Sequence, residues 1–304
     1  MDIIVVGSVA LDTIHTPVTS HRELLGGSAS YFSLAATHFT KVGTVAVVGD
    51  DFPAEHVDLL RSRDVDLSGF SKESGTTFRW EGRYASDPNQ RTTILTELGV
   101  FQDFHPVLPD QYLDCQALFL ANIDPKLQLE VLANAGDTDL VAVDTMNFWI
   151  EGQPEIVRQV IAKSDLLIIN DEETQLLTGL TDPVRAAEKI LSMGPEVIVV
   201  KKGAHGACAL GPWGWTLFPA YPVNSAQDPT GAGDSYAGGL LGYLAGKDWR
   251  NRDRFAEGMA VATAMASLVV EQFGVGSIRD NRQQELRERV AYLQRATAFD
   301  IPQW

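Results

Sequence analysis

The residues best suited to chemistry lie between Gln227 and Gly239, just before an apolar segment of helical length. Gly231, Ala232 and Gly233 are small, so backbone N–H groups can approach a ligand closely there. A helix that begins at this point adds the positive end of its dipole and its first amides, which have no partner inside the helix. The segment therefore predicts an anion-binding site.

Asp234 follows these three small residues directly. A carboxylate in the first turn of a helix is a normal capping residue, so capping accounts for Asp234 but not for the glycines beside it. Next to an anion site, a carboxylate can also accept the proton of an attacking hydroxyl group while the amides bind phosphoryl oxygens. Two other phosphate motifs are excluded, because Asp248 stands where a Walker A motif needs Ser or Thr and Tyr236 where a dinucleotide fingerprint needs Gly. The pattern favours phosphoryl transfer.

Charge and length limit the classes of function. At 304 residues the chain is long enough for one large domain or for one domain with an appendage. Its 24 Lys and Arg against 40 Asp and Glu give a net charge of −16, which repels nucleic acid and anionic membrane surfaces. Only Cys115 and Cys208 occur, and no apolar run reaches the roughly 20 residues that cross a bilayer. We expect a soluble cytoplasmic protein whose partner is a small molecule.

Short apolar runs that alternate with helix-like segments indicate the fold class. The runs are residues 3–6, 45–48, 117–120, 140–143, 166–169 and 197–200. Runs of this kind suit parallel strands covered on both faces, so we predict an α/β fold with a doubly wound, mostly parallel sheet and helices on both faces. The carboxyl ends of such strands form the ligand crevice of an open sheet. Asn122 and Asp144 stand at two of these ends and are candidates for contact with a substrate.

One region, from about residue 67 to residue 105, lacks helical periodicity. Residues 76–81 and 91–96 alternate like strands and are joined through Asp87, Pro88 and Asn89. A surface hairpin and a lid over the cleft both fit this pattern. A lid would exclude water from the reacting groups.

The stretch Asp-Pro-Thr-Gly-Ala-Gly-Asp-Ser-Tyr at 228–236 resembles the carboxy-terminal signature of the ribokinase-like, or PfkB, family of carbohydrate and nucleoside kinases. Segments at 7–12, 26–29, 170–173 and 202–206 agree with the family in order, so the resemblance covers residues 1–280. It implies a single ribokinase-like domain over residues 1–304, with a β lid formed by about residues 12–25 and 67–105. It also implies a homodimer that pairs through the lid.

The resemblance implies a role for each matching residue. Asp234 is expected to be the general base, and the anion hole is expected from Gly231, Ala232 and Gly233. Substrate contact is expected from Asp12, Gly26 and Gly27. The nucleotide is expected to contact Asn170, Glu173, Lys202, Gly203 and Thr230, with Glu173 holding Mg²⁺ through water. A K⁺ site found in parts of the family is matched by Asp228, Thr230 and Ser277. Lys201 and Lys202 could equally be solvated cations on an acidic chain.

Together these observations predict an ATP-dependent kinase that requires Mg²⁺ and phosphorylates a hydroxyl group of a sugar or nucleoside. A neutral sugar or a ribonucleoside is favoured, because aromatic rings could stack on an apolar face or a base; the candidates are Phe78, Trp80 and Phe148. A sugar phosphate would need cations in the cleft, and those available, Arg79, Arg83 and Arg91, are expected at the surface.

Two other classes of function remain open. The first is a non-catalytic sugar or nucleoside sensor that retains the kinase fold, although the intact Asp234 with its glycines argues against it. The second is a dinucleotide-dependent oxidoreductase on the same type of sheet, but the segment after the first strand, residues 7–12, lacks the glycines that such an enzyme needs.

Overall fold

The computed structural model describes residues 1–85, 91–298 and 300, so the turn expected at residues 87–89 lies outside the described residues. Within these ranges, nine strands form one large sheet. In spatial order, numbered along the chain, they are β13 (Gly214–Phe218), β12 (Ala207–Gly211), β11 (Val197–Lys201), β10 (Leu166–Asn170), β9 (Leu140–Val143), β8 (Ala117–Leu120), β1 (Ile3–Val6), β4 (Val42–Val48) and β5 (Asp66–Lys72). Only β12 and β13 pair antiparallel to their neighbours.

The central strands are apolar along their whole length because both faces of the sheet are covered. Ile3 and Val5 of β1 face one hydrophobic core, whereas Ile4 and Val6 face the other. This alternation follows from the two-residue period of a strand. Each of the six apolar runs lies in a strand of this sheet, and the predicted doubly wound, mostly parallel α/β fold is confirmed.

Helices lie on both faces of the sheet. The first core includes residues of α1 (Ser28–Ala36), α2 (Ala54–Ser62), α8 (Ala232–Leu244), α9 (Arg252–Val269) and α10 (Gln283–Thr297). The second includes residues of α3 (Pro125–Asn134), α4 (Asn147–Gly152), α5 (Pro154–Ile161), α6 (Asp171–Thr178) and α7 (Pro183–Leu191). Among the described residues, no helix combines the length and the apolar character needed to cross a membrane.

A smaller, separate sheet supplies the candidate lid. Its order is β3 (Ser20–Gly26), β2 (Ala10–His15), β6 (Arg79–Tyr84) and β7 (Arg91–Glu97). The expected range of residues 67–105 is too wide, because β5 pairs with β4 in the large sheet and Phe101 packs in the second core. In the register of β2 and β6, Asp12 lies opposite Trp80, so these two side chains share one face of the small sheet.

Helix α8 lies directly on α1, and glycine makes this approach possible. A Cβ atom on Gly238 would lie 2.5 Å from the carbonyl oxygen of Phe32 and 2.9 Å from the Cβ of Ala35. Gly27 is the N-cap residue of α1 and Gly231 that of α8, so the spacing of the two helices sets the distance between the two glycine segments expected to bind ligands.

We predict that Gly238→Ala lowers the free energy of unfolding by about 1–3 kcal/mol, because the added methyl group must displace backbone in a packed core. Alanine's higher helix propensity, worth about 1 kcal/mol, acts in the opposite direction. Gly152→Ala is the matched control, since a Cβ at the exposed end of α4 meets nothing within 4 Å. Urea denaturation followed by circular dichroism measures both variants. Equal stability of the two would show that α8 and α1 are not tightly packed.

Candidate active site

The start of α8 has the geometry of an anion site. Gly231 is the N-cap residue and adopts a left-handed conformation with φ of 74°. A Cβ atom at this position would lie 2.3 Å from the ring of Tyr31, so both the conformation and the contact require glycine. The first amides of α8 follow at Ala232 and Gly233, where the helix dipole favours negative charge. The N–H of Ala232 donates to the carbonyl oxygen of Pro229 at 3.2 Å.

Asp234 is half-buried in the first turn of α8, and two further carboxylates lie near it. Asp12 of β2 is 4% exposed, and its pKa is raised to about 8. Burial is the main cause, and the negative charges of Asp228 and Asp234 add to it, whereas a hydrogen bond with the Gly27 backbone acts in the opposite direction. The structure thus brings the expected substrate residue Asp12 next to the expected base.

The carboxylate of Asp228 organises the loop before α8. It is fully buried and accepts hydrogen bonds from the backbone N–H groups of Thr230 at 2.9 Å and Gly274 at 3.0 Å. Burial raises the pKa of Asp228 despite these bonds. The Thr230 hydroxyl lies 2.8 Å from the hydroxyl of Tyr84 on β6, which ties this loop to the small sheet. Both Asp228 oxygens therefore hold protein backbone. Ser277, the other expected K⁺ residue, is fully buried, and its hydroxyl has no hydrogen-bond partner among the described residues.

A cation lies on the other side of the anion site, at the end of β11. The Nζ atom of Lys201 is 3.0 Å from Oδ2 of Asp144, which follows β9, and both side chains are largely buried. Burial alone would lower the pKa of Lys201, but the charges of Asp144, Glu173 and Asp234 outweigh it and raise the pKa. The lysine is therefore held in its charged form beside the start of α8.

Asn170 and Glu173 close the first turn of α6 in a reciprocal capping box. The Asn170 side chain accepts from the Glu173 N–H, and Glu173 Oε2 accepts from the Asn170 N–H, each at 2.8 Å. Burial and the charge of Asp144 raise the pKa of Glu173 to about 7, while Lys201 lowers it. In the described ranges, no group of three metal-ligating side chains is assembled. A Mg²⁺ ion here would need water and phosphate oxygens as ligands, as Mg²⁺ bound to nucleotides usually has.

Two neighbouring lysines lie in different environments. Lys202, the expected nucleotide contact, is exposed, whereas Lys201 points toward Gly233, where a Cβ atom would lie 3.2 Å from its Nζ. Strand alternation could have shown this, because Val197 and Val199 face the core that contains α8 and Lys201 continues that face. Gly203 follows in an exposed turn with φ of 52°.

Other expected residues lie apart from this cluster. The Asn122 side chain donates to the sulfur of Met146 and accepts from the indole N–H of Trp149 at 3.1 Å, on the side of the second core. Phe78 stacks on Phe101, with the ring centroids 5.5 Å apart, and packs against the second core. Two aromatic residues were missed altogether, Tyr31 and Tyr84, because nothing in their local sequence indicates that tertiary packing brings them to Gly231 and Thr230.

The hydroxyl of Tyr31 is the most unusual polar group of the site. It is buried and has no hydrogen-bond partner among the described residues. Burial raises the pKa of Tyr31, and Asp12, Asp228, Tyr84 and Asp234 add to the effect. The phenol therefore lies among the same carboxylates that surround the start of α8.

Comparison with known proteins agrees with this arrangement. The family model "pfkB family carbohydrate kinase" matches residues 2–282. The cytidine kinase of Thermococcus kodakarensis is 30% identical over 255 residues, which is 81% of this chain and 90% of that protein. The 2-dehydro-3-deoxygluconokinase of Thermoproteus tenax is 30% identical over 272 residues, 83% of this chain and 81% of that protein.

A solved structure shows the same fold. It is that of a ribokinase II candidate from E. coli, in complex with ATP and Mg²⁺, which superimposes with a TM-score of 0.77 at 20% identity and covers 97% of this chain and 99% of that one. The match of the whole signature region, the shared fold and the relatives at 30% identity confirm the resemblance. The chain therefore belongs to the pfkB family of carbohydrate kinases and is a phosphotransferase, as its signature predicted.

Proposed function

We propose that this enzyme transfers the γ-phosphoryl group of ATP to a hydroxyl group of a ribonucleoside, with Asp234 as general base and the amides of Gly231, Ala232 and Gly233 as the anion hole. One observation carries the proposal. The first turn of α8, which carries Asp234, lies near Asp12 of the small sheet and near Lys201 of β11. Carboxylates that can bind an alcohol and an ammonium that can bind a phosphoryl group thus lie at the same end of α8.

In the proposed reaction, the side chain of Asp12 accepts hydrogen bonds from two sugar hydroxyls and orients the acceptor. Asp234 accepts the proton of the attacking hydroxyl as its oxygen forms the new bond to phosphorus. The bond from phosphorus to the bridging oxygen breaks, and that oxygen leaves with ADP. The amides of the α8 turn stabilise the charge that grows on the transferring group. Mg²⁺, when bound with ATP, would neutralise phosphate charge. Glu173 and Asn170 would hold it through its bound water molecules.

A nucleoside fits the small sheet better than a charged sugar does. Trp80 shares a face with Asp12, and its indole lies over Gly82, where a Cβ atom would be 2.0 Å from the ring. An aromatic platform beside a hydroxyl-binding carboxylate suits a base attached to a ribose. The likeness to the cytidine kinase points to the same class.

A sugar acid is the second candidate, because another relative, at 30% identity, is named 2-dehydro-3-deoxygluconokinase. Its carboxylate would need a cation in the cleft. On the small sheet, Arg79 lies opposite Leu11 in the register of β2 and β6. It is already paired with Asp51 at 2.6 Å and lies 3.5 Å from Glu23. Arg83 is exposed. These pairings favour a neutral acceptor.

We also propose, from the same family resemblance, that two copies pair through the lid in the cytoplasm. Strands β3 and β7 are the edges of the small sheet, and Ile94 and Leu95 on β7 are about two-fifths exposed. Sedimentation velocity at low micromolar concentration should give a dimer, and Ile94→Glu should shift it toward monomer. A wild-type protein that sediments only as a monomer would overturn this assembly.

The first test is a panel of acceptors with ATP and Mg²⁺. We expect phosphorylation of cytidine and other ribonucleosides, followed by ADP release, at rates at least tenfold above those with ribose, fructose or 2-dehydro-3-deoxygluconate. The physical reason is that only a nucleoside fills both the Asp12 and the Trp80 side of the cleft. A preference for the sugar acid would select the second candidate, and no turnover of any acceptor would contradict the proposed function.

Asp234→Asn tests the general base within that assay. Removal of a positioned base typically costs about 10²- to 10⁴-fold in rate, so kcat should fall in that range while ATP affinity and thermal stability stay close to wild type. Asp253→Asn is the matched control, because Asp253 is also a first-turn carboxylate, on α9, and is exposed. Near wild-type turnover of Asp234→Asn would reject the assignment.

The raised pKa of Asp12 predicts a pH dependence of acceptor binding. A carboxyl group with a pKa of about 8 is mostly protonated below that pH, and its ionised form is the stronger acceptor for two hydroxyls. Cytidine affinity, measured by calorimetry without ATP, should therefore rise as pH increases from 6.5 to 9. Asp12→Asn should bind about 10- to 100-fold more weakly at pH 9, in line with the strength of hydrogen bonds to charged groups. The affinity of Asp12→Asn for cytidine should not depend on pH. Because this variant keeps Asp228 and Asp234, that result would assign the pH dependence to Asp12. A wild-type affinity that is flat across this range would exclude Asp12 as the titrating contact.

A further inference from the structure

Lys201 is a cation that the proposed reaction does not yet use. It is the last residue of β11, paired in register with Asn170, the last residue of β10. Val197 and Val199 on the same strand face pack in the core that contains α8. The strand therefore directs the Lys201 side chain toward the beginning of α8, at the carboxyl edge of the sheet where ligands of such folds bind.

The ammonium group lies beside the proposed anion hole. Its Nζ atom would be 3.2 Å from a Cβ on Gly233, so the missing side chain of that glycine leaves the space that the ammonium borders. The side chain of Lys201 is 17% exposed, whereas that of Asp144 is 7% exposed. The cation is thus mostly enclosed but retains an opening on the side of the cleft.

The hydrogen bonds of Lys201 leave capacity for a ligand. An ammonium group has three N–H donors. In the part of the chain that the structure describes, one of them is directed at an acceptor, Oδ2 of Asp144 at 3.0 Å. The other Asp144 oxygen accepts from the Thr145 N–H at 2.7 Å, which fixes the carboxylate. The carboxylate of Asp144 thus fixes the position of the Lys201 ammonium group.

We propose that Lys201 is a further catalytic residue, whose ammonium group donates a hydrogen bond to a nonbridging oxygen of the transferring phosphoryl group, opposite the α8 amides. Asp144 is its positioning residue. The inference rests on the proposed function, since it assigns a contact to the phosphoryl group that the α8 turn would bind. A fixed cation at that point stabilises charge in the transition state more than in the bound ATP, so its effect falls mainly on kcat.

A purely structural role is the competing explanation. Lys201 would then only neutralise Asp144 and Glu173, whose carboxylates are largely buried. Removal of one member of a buried ion pair destabilises a protein because the remaining charge is left without compensation. The two roles differ when both members of the pair are replaced, because the charge is then balanced again while the phosphoryl contact is still absent.

The experiment compares Lys201→Met, Asp144→Asn and the double variant with wild type and with Lys163→Met, an exposed lysine after α5 that serves as the control. With ATP and cytidine, Lys201→Met should lower kcat about 100-fold or more, with the KM for cytidine within about threefold of wild type. The double variant should regain thermal stability and remain as slow as Lys201→Met. The inference is overturned if the double variant regains turnover to within threefold of wild type, or if Lys201→Met turns over at the control rate.

A binding measurement separates this inference from the proposed function. By calorimetry without acceptor, Lys201→Met, or the double variant if the single one does not fold, should bind ATP about tenfold more weakly than wild type. Its affinity for ADP, which lacks only the γ-phosphoryl group, should be unchanged. Equal loss for both nucleotides, or no loss for ATP, would contradict the contact. This result stands even if cytidine and every other acceptor fail, in which case the proposed acceptor alone is wrong.

Discussion

The enclosure of several charges of one sign beside the first turn of α8 is the constraint on which the rest of the site depends. Asp12, Asp228 and Asp234 lie close enough that each carboxylate affects the protonation of a neighbour, and the pKa of Asp12 is raised to about 8. Like charges in a buried site repel strongly. The fold compensates them with backbone amides at Asp228, with the helix dipole at Asp234 and with the ammonium of Lys201 on the opposite side.

This compensation comes from elements far apart in the chain. The parallel sheet places the ends of β9, β10 and β11 at one edge, so Asp144, Asn170 and Lys201 continue the same strand faces into the cleft. The contact of α1 with α8 brings Tyr31 under Gly231. The small sheet supplies Asp12, which lies on β2. The hydroxyls of Tyr84 and Thr230 join this sheet to the loop before α8. A ligand that bound here would be enclosed by both sheets.

The sequence predicted the parts of this arrangement that depend on local pattern. Apolar runs with the period of buried strands indicated the large sheet, and the glycines around Asp234 indicated an anion site, because both signals are contained in a few consecutive residues. The position of Lys201 beside Gly233 follows from the phase of β11, which the flanking valines could have indicated. The contacts of Tyr31, Tyr84 and Asn122 were beyond prediction, since each depends on how separate elements pack and leaves no local signature. The predicted range of the lid is too wide because the sequence of β5 is as polar as the strands of the small sheet.

The most direct measurement is a crystal structure of the enzyme with ADP, Mg²⁺, aluminium fluoride and cytidine, in which the fluoroaluminate mimics the phosphoryl group during transfer. We predict that the fluoroaluminate lies between the amides of Gly231, Ala232 and Gly233 and the Nζ atom of Lys201. One cytidine hydroxyl should then lie within hydrogen-bond distance of Asp234, and two others should contact Asp12. A fluoroaluminate bound away from the start of α8, or a cytidine whose hydroxyls approach neither carboxylate, would contradict this prediction.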